Sequence, residues 1–292
     1  MNTTQLPLLL RILRKLEFPH KLGLLDRFFA KKLATRGICA ARTAFGLFWK
    51  LDFANPTHRW LLYGDYEGPA LRKWAQKHLR KNSNLVVSGA NIGQIIASLH
   101  PRLSFKHILA FEPNNEAADW LQFCLQLNTH IPARLVRAGL GEKKTTAKLA
   151  QTSWQGSQSF INDDFGETIP ITTLAEEWDT QNGNIDLWVL DVEGYEIFAL
   201  KGALPLLEKG VIKAIYMEAE PSENSRAAVT LLKKLGWRPY LLDEKGNVHP
   251  CKTHPRVHTN LLLLPDLQPS LHPKRTGFHM WAVVKATLVS GL

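Results

Sequence analysis

Residues 84–112 read NLVVSGANIGQIIASLHPRLSFKHILAFE, and the rest of the 292-residue chain can be laid out around them. The apolar run Leu85-Val86-Val87 leads into Gly89-Ala90-Asn91-Ile92-Gly93 and then into a helix-like segment from Gln94 to Leu99: strand, glycine turn, helix. A second run, Ile108-Leu109-Ala110-Phe111, ends on Glu112, whose number is 23 above that of Gly89. Glycines let a backbone approach a ligand, a helix N-terminus offers unpaired N–H groups, and an acid at the next strand tip accepts bonds from ribose hydroxyls. An adenosine-containing cofactor is the first expectation. The spacing Gly-x-x-x-Gly is not the Gly-x-Gly-x-x-Gly of nicotinamide enzymes, so a dinucleotide oxidoreductase fits the order of elements but lacks its third glycine. A turn that carries glycine for steric reasons alone is the competing reading of this pair taken singly.

The length suits one α/β domain with an N-terminal extension better than two equal domains, and 45% hydrophobic with 21% charged residues excludes a disordered chain. The formal net charge is +10, and its location matters more than its size. Residues 1–83 hold 16 Lys and Arg against 5 Asp and Glu, which leaves 20 against 21 for residues 84–292. All the excess positive charge sits on the front end. This argues for a local anionic partner and against a nucleic-acid groove across the neutral part. Cys39, Cys124 and Cys251 are odd in number and far apart, which suggests neither a disulfide framework nor a metal knuckle but a reducing, cytoplasmic setting. The apolar run before Arg11 is too short for a secretory signal, and no span reaches the roughly 18 apolar residues that cross a bilayer.

Leu6, Leu9, Leu10, Leu13 and Leu16 fall at helical spacing among Arg11, Arg14 and Lys15. A second set, Leu22, Leu25, Phe28, Phe29 and Leu33, follows Pro19 with Arg27, Lys31 and Lys32. Two readings of residues 1–34 stay open: basic amphipathic helices on an anionic membrane surface at the inner face of a membrane, or helices that pack their leucines on the main domain and solvate their lysines. The aromatic segment from Trp49 to Glu67 is expected to cover the mouth of the cofactor site.

Beyond Glu112 the pattern predicts a helix over 115–128, a strand over 134–137 and a turn at Gly139-Leu140-Gly141-Glu142. Short paired strands, 146–149 and 169–171, flank a polar loop from Ser153 to Gly166 that reads as a cover or a surface excursion. The strand 185–190 runs into Asp191-Val192-Glu193-Gly194, and the strand 212–217 stops on Glu218. Glu112, Asp191 and Glu218 would then crowd the carboxyl edge of one parallel sheet, where open α/β folds bind ligands. A helix over 224–235 and strands 237–242 and 260–264 bring the total to about seven strands. The layout is a basic helical extension (1–83), a catalytic domain (84–265) and a C-terminal tail (266–292). His249, His254 and His258 read as solvated loop histidines, with a base or metal ligands as the alternatives; no Glu-x-x-His or Cys-x-x-Cys accompanies them, and no metal is expected.

Seven ordered pieces resemble the FkbM-type S-adenosylmethionine-dependent methyltransferases: Gly89–Gly93, Ala110–Asn114, Ala138–Gly141, Ile171–Leu174, Asp191–Glu196, Leu200–Ala203 and Asn260–Pro265. They span about residues 60 to 265. The resemblance implies a Class I methyltransferase fold, a Rossmann-like sheet of seven mostly parallel strands with the last antiparallel. It implies methyl transfer from S-adenosylmethionine, usually to an oxygen of a small molecule or sugar. By the same token Gly89, Ala90, Asn91 and Gly93 would line the methionine and ribose side, Glu112 would hold the ribose hydroxyls, and Asn114 with Ala138 and Gly139 would face adenine. Asp191 and Glu193 would sit where the methyl group meets its acceptor. Methyl transfer is an in-line displacement, so the protein aligns a sulfonium with a nucleophilic oxygen and removes the hydroxyl proton. Asp191, Glu193 and Glu218 are the candidate bases, each with a purely structural carboxylate as the alternative. Small-molecule, glycan and lipid-linked acceptors all remain open.

Two positions depart from the family. Val87 stands where an aspartate usually precedes the first glycine, and Val189 where a lysine often precedes the Asp191 position. The expectation is that a buried ion pair on neighbouring strands has become a Val–Val contact, an exchange that can be neutral or stabilising. The departure also keeps a second class open, a non-catalytic or membrane-peripheral binding protein that retains the fold.

Overall fold

The computed structural model describes residues 5–64, 68–151, 159–162 and 165–266. The basic front end folds as α1 (Leu8–Leu13), α2 (Lys21–Ala34), a hairpin of β1 (Ile38–Arg42) and β2 (Phe48–Asp52), then α3 (Pro56–Tyr63) and α4 (Gly68–His78). The helical extension expected over 1–83 thus also holds a two-stranded hairpin. Alternation decides it: Trp49 and Leu51 are buried while Phe48 and Asp52 are not, the period of two that a half-buried strand requires. Helical spacing also proves double-edged. Leu6, Leu10, Leu25, Phe29 and Leu33 are core, whereas Leu8, Leu9, Ile12, Leu16, Leu24 and Phe28 remain exposed.

Next come β3 (Asn84–Ser88), α5 (Gln94–Leu103), β4 (His107–Phe111), α6 (Asn115–Leu127) and β5 (Ala133–Val136). A small excursion of β6 (Gly139–Leu140), β7 (Thr145–Gln151), β8 (Ser159–Asn162) and β9 (Glu167–Thr172) forms its own sheet in the order β6-β9-β7-β8. The expected pair of strands is thus β7 with β9, and the polar loop contributes β8 on the far side of β7. Then follow α7 (Leu174–Glu177), β10 (Leu187–Leu190), α8 (Glu196–Gly202), α9 (Leu204–Glu208), β11 (Ile215–Ala219), α10 (Glu223–Lys234), β12 (Trp237–Leu242), β13 (Val248–Pro250) and β14 (Thr259–Pro265). Of the expected tail only Asp266 falls within the described residues.

The main sheet runs β13-β12-β14-β11-β10-β3-β4-β5, with β14 antiparallel to both neighbours and β3, β4, β5, β10 and β11 mutually parallel. This is the implied seven-stranded Class I sheet, widened by β13, a strand that sequence patterning did not reveal. Its central strands carry continuous apolar runs, Leu85–Val87, Ile108–Phe111 and Leu187–Leu190, because both faces are covered. Across one face the in-register row Ala110, Val87, Val189, Tyr216, Leu262 joins the same core as Leu10, Leu25 and Trp49 of the front end. Across the other, Leu109, Val86, Trp188, Ile215 and Leu263 pack with α8, α9 and α10. The extension therefore shares a core with the sheet across the 83/84 boundary. From β3 the chain winds outward to β4 and β5, then returns beside β3 as β10. The crevice at that reversal is where open α/β sheets bind ligands.

Candidate active site

Three strand tips meet at the reversal. Gly89 and Ala90 donate from their backbone N–H groups to the Phe111 carbonyl at 3.1 and 2.9 Å, and Asp191 N–H donates to the Ser88 carbonyl at 3.1 Å. Gly89 has φ +75°, and a Cβ there would lie 1.8 Å from the Asp191 carbonyl oxygen. Only glycine lets the tips of β3 and β10 close this far. The loop then turns through Asn91 at φ 48°, whose Oδ1 accepts from Ile92 N–H at 2.8 Å, to Gly93 at φ +88° ahead of α5.

The floor of this loop is supplied by the front end. Trp49, fully buried on β2, donates from Nε1 to the Ile92 carbonyl at 2.7 Å, and its ring and Leu121 occupy the space that a Cβ on Gly93 would need. Trp49 and Phe53 are core residues, which corrects their expected place over the mouth; Asp65, Tyr66 and Glu67 lie outside the described residues.

Glu112 is clamped by backbone. Its Oε2 accepts from Asn91 N–H at 2.6 Å and its Oε1 from Asn114 N–H at 2.9 Å. Burial pushes the carboxyl up to about 7, against the pull of those two N–H groups. Each oxygen accepts one of these backbone bonds and retains lone-pair capacity, which matches a vicinal diol. Asn114 caps α6, its Oδ1 accepting from Ala117 N–H at 2.9 Å, so the side chain expected to face adenine is buried and engaged by the helix. Ala138 and Gly139 lie just beyond the tip of β5, both buried, and Gly139 pairs with Ile171 of β9.

On the β10 side, Asp191 is half-buried, Glu193 is exposed in a left-handed conformation at φ 51°, and Glu196 is buried. Glu196 Oε1 accepts from Val192 and Gly194 N–H at 3.2 and 3.3 Å, and its Oε2 is buried without a hydrogen-bond partner. Burial pushes its carboxyl up to about 7. From β11, Glu218 and, just past the strand, Glu220 reach the same region. His258 lies between them, with Nδ1 3.8 Å from Glu218 and Nε2 3.9 Å from Glu220. His254 Nε2 sits 2.8 Å from the Glu220 carbonyl, an acceptor only, so the proton is on Nε2. Desolvation first, then Glu218, Glu196 and Glu220, push the Glu193 carboxyl up to about 7, with His258 opposing. Because Glu193 is exposed, water softens both the desolvation and the repulsion from the neighbouring carboxylates.

Glu112, Asp191, Glu193 and Glu218 thus share one edge with the glycine loop. Sequence reasoning missed Glu220, Glu196, His258 and Trp49 as parts of this edge. Glu220 was legible two positions beyond Glu218, at the strand period; Trp49 carried no signal, because nothing local to β2 points to Gly93. Of the three histidines read as solvated loop residues, His258 is an exposed loop residue, His254 is a half-buried one, and His249 is exposed but lies on β13, where it pairs with Asp243 at 3.2 Å. Among the described residues, no group of three or more His, Cys, Asp and Glu has a metal-holding arrangement, and no helix is long and apolar enough to cross a membrane.

Comparison with curated proteins finds no sequence match. Among solved structures, an rRNA methylase from Streptococcus thermophilus aligns with 68% of this chain and 95% of its own at 12% identity and a TM-score of 0.43. Precorrin-6y C5,15-methyltransferase from Geobacter metallireducens covers 67% and 86% at 10% identity and 0.40, and TYW2 of M. jannaschii in complex with AdoMet covers 78% and 84% at 15% and 0.40. A family model, the methyltransferase FkbM domain, matches residues 88–247, from the last residue of β3 to the turn after β12. This chain belongs to the FkbM methyltransferase family and is S-adenosylmethionine-dependent.

Proposed function

We propose that the protein O-methylates a hydroxyl on an acceptor whose reacting end carries no negative charge: a small molecule, a sugar or a lipid-linked glycan. The observation that carries this reading is the crowd of Glu193, Glu218 and Glu220 around His258, beside Asp191 at the edge of the glycine loop. An anionic acceptor would be repelled there, whereas a hydroxyl finds acceptors for its proton.

The residues at the other half of the edge fit the nucleoside. Gly89, Ala90, Asn91 and Gly93 offer backbone beside the methionine and ribose, the free lone pairs of Glu112 suit the ribose diol, and Ala138 and Gly139 lie on the adenine side. S-adenosylmethionine, when bound, supplies a methyl group on a positively charged sulfur. Glu193 is the preferred base: with its carboxyl near 7, a neutral solution holds enough of the ionised form to take the hydroxyl proton onto its carboxylate. Glu218 and Asp191 then act as fixed negative charges beside the reacting centre, and His258 bridges Glu218 and Glu220 as a positioning residue.

Calorimetric titration tests the cofactor half, with S-adenosylhomocysteine expected to bind in the micromolar range and Glu112→Ala to abolish binding. The base is tested by transfer of labelled methyl from S-adenosylmethionine into cell extract as a function of pH. Because Glu193 must be ionised, the wild-type rate should rise with pH and level off above about 7, and Glu193→Gln should lose the rate without losing S-adenosylhomocysteine binding. A Glu193→Gln protein with the wild-type rate and profile would refute the assignment. Failure of any S-adenosylhomocysteine binding would favour the fold-retaining, non-catalytic reading.

A further inference from the structure

A groove lies between α1 and the turn of the β1–β2 hairpin, with a volume of about 910 Å³. That is within the roughly 300–1,000 Å³ of small-ligand sites. Four cations line it, Arg11, Arg14, Lys15 and Arg42, and among the described residues no acid does. Glu17, the nearest carboxylate in sequence, is paired with Arg72 at 3.4 Å.

The positive charges are held together rather than merely gathered. Arg14 donates from Nη1 to the Arg42 carbonyl at 2.7 Å, and Lys21 donates to the Arg14 carbonyl at 2.9 Å. Burial, with Arg11 and Arg42 adding to it, pulls the Arg14 guanidinium below its ordinary value. Two buried polar atoms are left over in the groove wall: among the described residues Arg14 Nε and the Thr43 hydroxyl have no hydrogen-bond partner, and Thr43 is only 1% exposed. Buried donors of this kind cost stability unless a ligand satisfies them.

The rim is apolar. Leu8, Leu9 and Ile12 on α1 and Leu16 beyond its end are 69%, 59%, 53% and 51% exposed, while Leu10 on α1 and Leu6 ahead of it are in the core. Cations around an orphaned polar pocket, set in exposed aliphatic side chains, match an anionic amphiphile: a phosphate for the groove and acyl carbons for the leucines. Phe45 and Phe48 also line the groove, but Leu8, Leu9, Ile12 and Leu16 are each more exposed than Phe48, at 43%, and nucleic acid has no use for aliphatic chains, since its bases stack on aromatic rings. A second copy of this chain would have to oppose one cationic groove with another.

We propose that the groove between α1 and the β1–β2 turn seats the phosphate of an anionic lipid headgroup and that α1 lies on an anionic bilayer surface with Leu8, Leu9, Ile12 and Leu16 in the interface. This surface is independent of the methyl-transfer reading. It places the chain beside a membrane, and among the described residues no helix is long and apolar enough to span one.

The test is co-sedimentation of the full chain with vesicles of phosphatidylcholine alone or with added phosphatidylglycerol. Binding is expected only to the anionic vesicles and should weaken with salt. Arg11→Gln/Lys15→Gln removes two exposed cations from the groove and should weaken binding about thirtyfold, at about fivefold per basic residue near the surface. Lys31→Gln/Lys32→Gln makes the same charge change on α2, outside the groove, and should weaken it less than threefold. Leu8→Ser/Leu9→Ser should weaken binding with all charges kept. Unchanged thermal melting and S-adenosylhomocysteine binding show that each variant is folded. Equal loss in the two lysine-containing pairs, no difference between the vesicles, tighter binding to a single-stranded RNA oligonucleotide than to vesicles, or a dimer that Leu8→Ser/Leu9→Ser dissociates would each overturn the proposal.

Discussion

Val87 and Val189 face each other in register on β3 and β10, the two strands that flank the ligand crevice, and are 1% and 3% exposed. Their row continues through Ala110 on one side and Tyr216 on the other, all in one apolar core. Val87→Asp puts a carboxyl where no partner reaches it and removes a buried apolar side chain. The two losses together amount to about 4 kcal/mol. Val189→Lys in the same protein places an ammonium on the adjacent strand, roughly 4.8 Å away at the backbone. At about 4 Å and an effective dielectric near 20 the attraction is about 4 kcal/mol, of which desolvation of the lysine leaves about 2 kcal/mol as net coupling. For a domain of this size each kcal/mol shifts the melting temperature by about 2–4 °C. Val87→Asp should therefore melt about 8–16 °C below wild type, and Val87→Asp/Val189→Lys should recover about 4–8 °C of that loss. The assay is a thermal-melt cycle of wild type, both single variants and the double. If the double variant melts no higher than Val87→Asp alone, the Val–Val contact is not the apolar replacement of an ion pair, and the reasoning fails.

Gly89→Ala combines a left-handed conformation with overlap on the Asp191 carbonyl, so the tips of β3 and β10 must part; we expect about 2–4 kcal/mol of destabilisation and loss of S-adenosylhomocysteine binding, and a melt within 1 °C of wild type would contradict it. Trp49→Phe keeps most of the ring but leaves the Ile92 carbonyl unpaired, at about 1–3 kcal/mol, and should weaken S-adenosylhomocysteine binding several-fold; a lower melt with unchanged affinity would reduce Trp49 to a core residue only. For Glu196 the folded carboxyl lies at about 7 against an ordinary 4.5, so the native state stays protonated where the unfolded chain has already ionised. Stability is then lost as pH rises from about 4.5 to 7 and stays lost above. Glu196→Gln removes that loss and should raise the melt at pH 8 by the equivalent of about 1–3 kcal/mol, with no gain below pH 4.5; the reverse pattern would show a favourable carboxylate.

The nucleotide-fold core was legible because its signals are local. The run Leu85-Val86-Val87, the turn Gly89–Gly93 and the acid at Glu112 lie within one strand–helix–strand unit, and the acids Asp191 and Glu218 stand at the ends of apolar runs whose direction follows from the chain. Local pattern also placed the excess charge on residues 1–83. What it left undecided were relations between segments distant in sequence. Exposed and buried leucines on α1 obey the same spacing, so only the docked helix shows that Leu10 is core and Leu9 is free. Trp49 became the floor of the Gly93 turn, and His258 came to rest between Glu218 and Glu220, through loops whose course depends on packing rather than on propensity. Periodicity tells each residue which side of its own element it occupies; which partner waits on that side is settled when the elements pack and their hydrogen bonds and volumes have to be satisfied together.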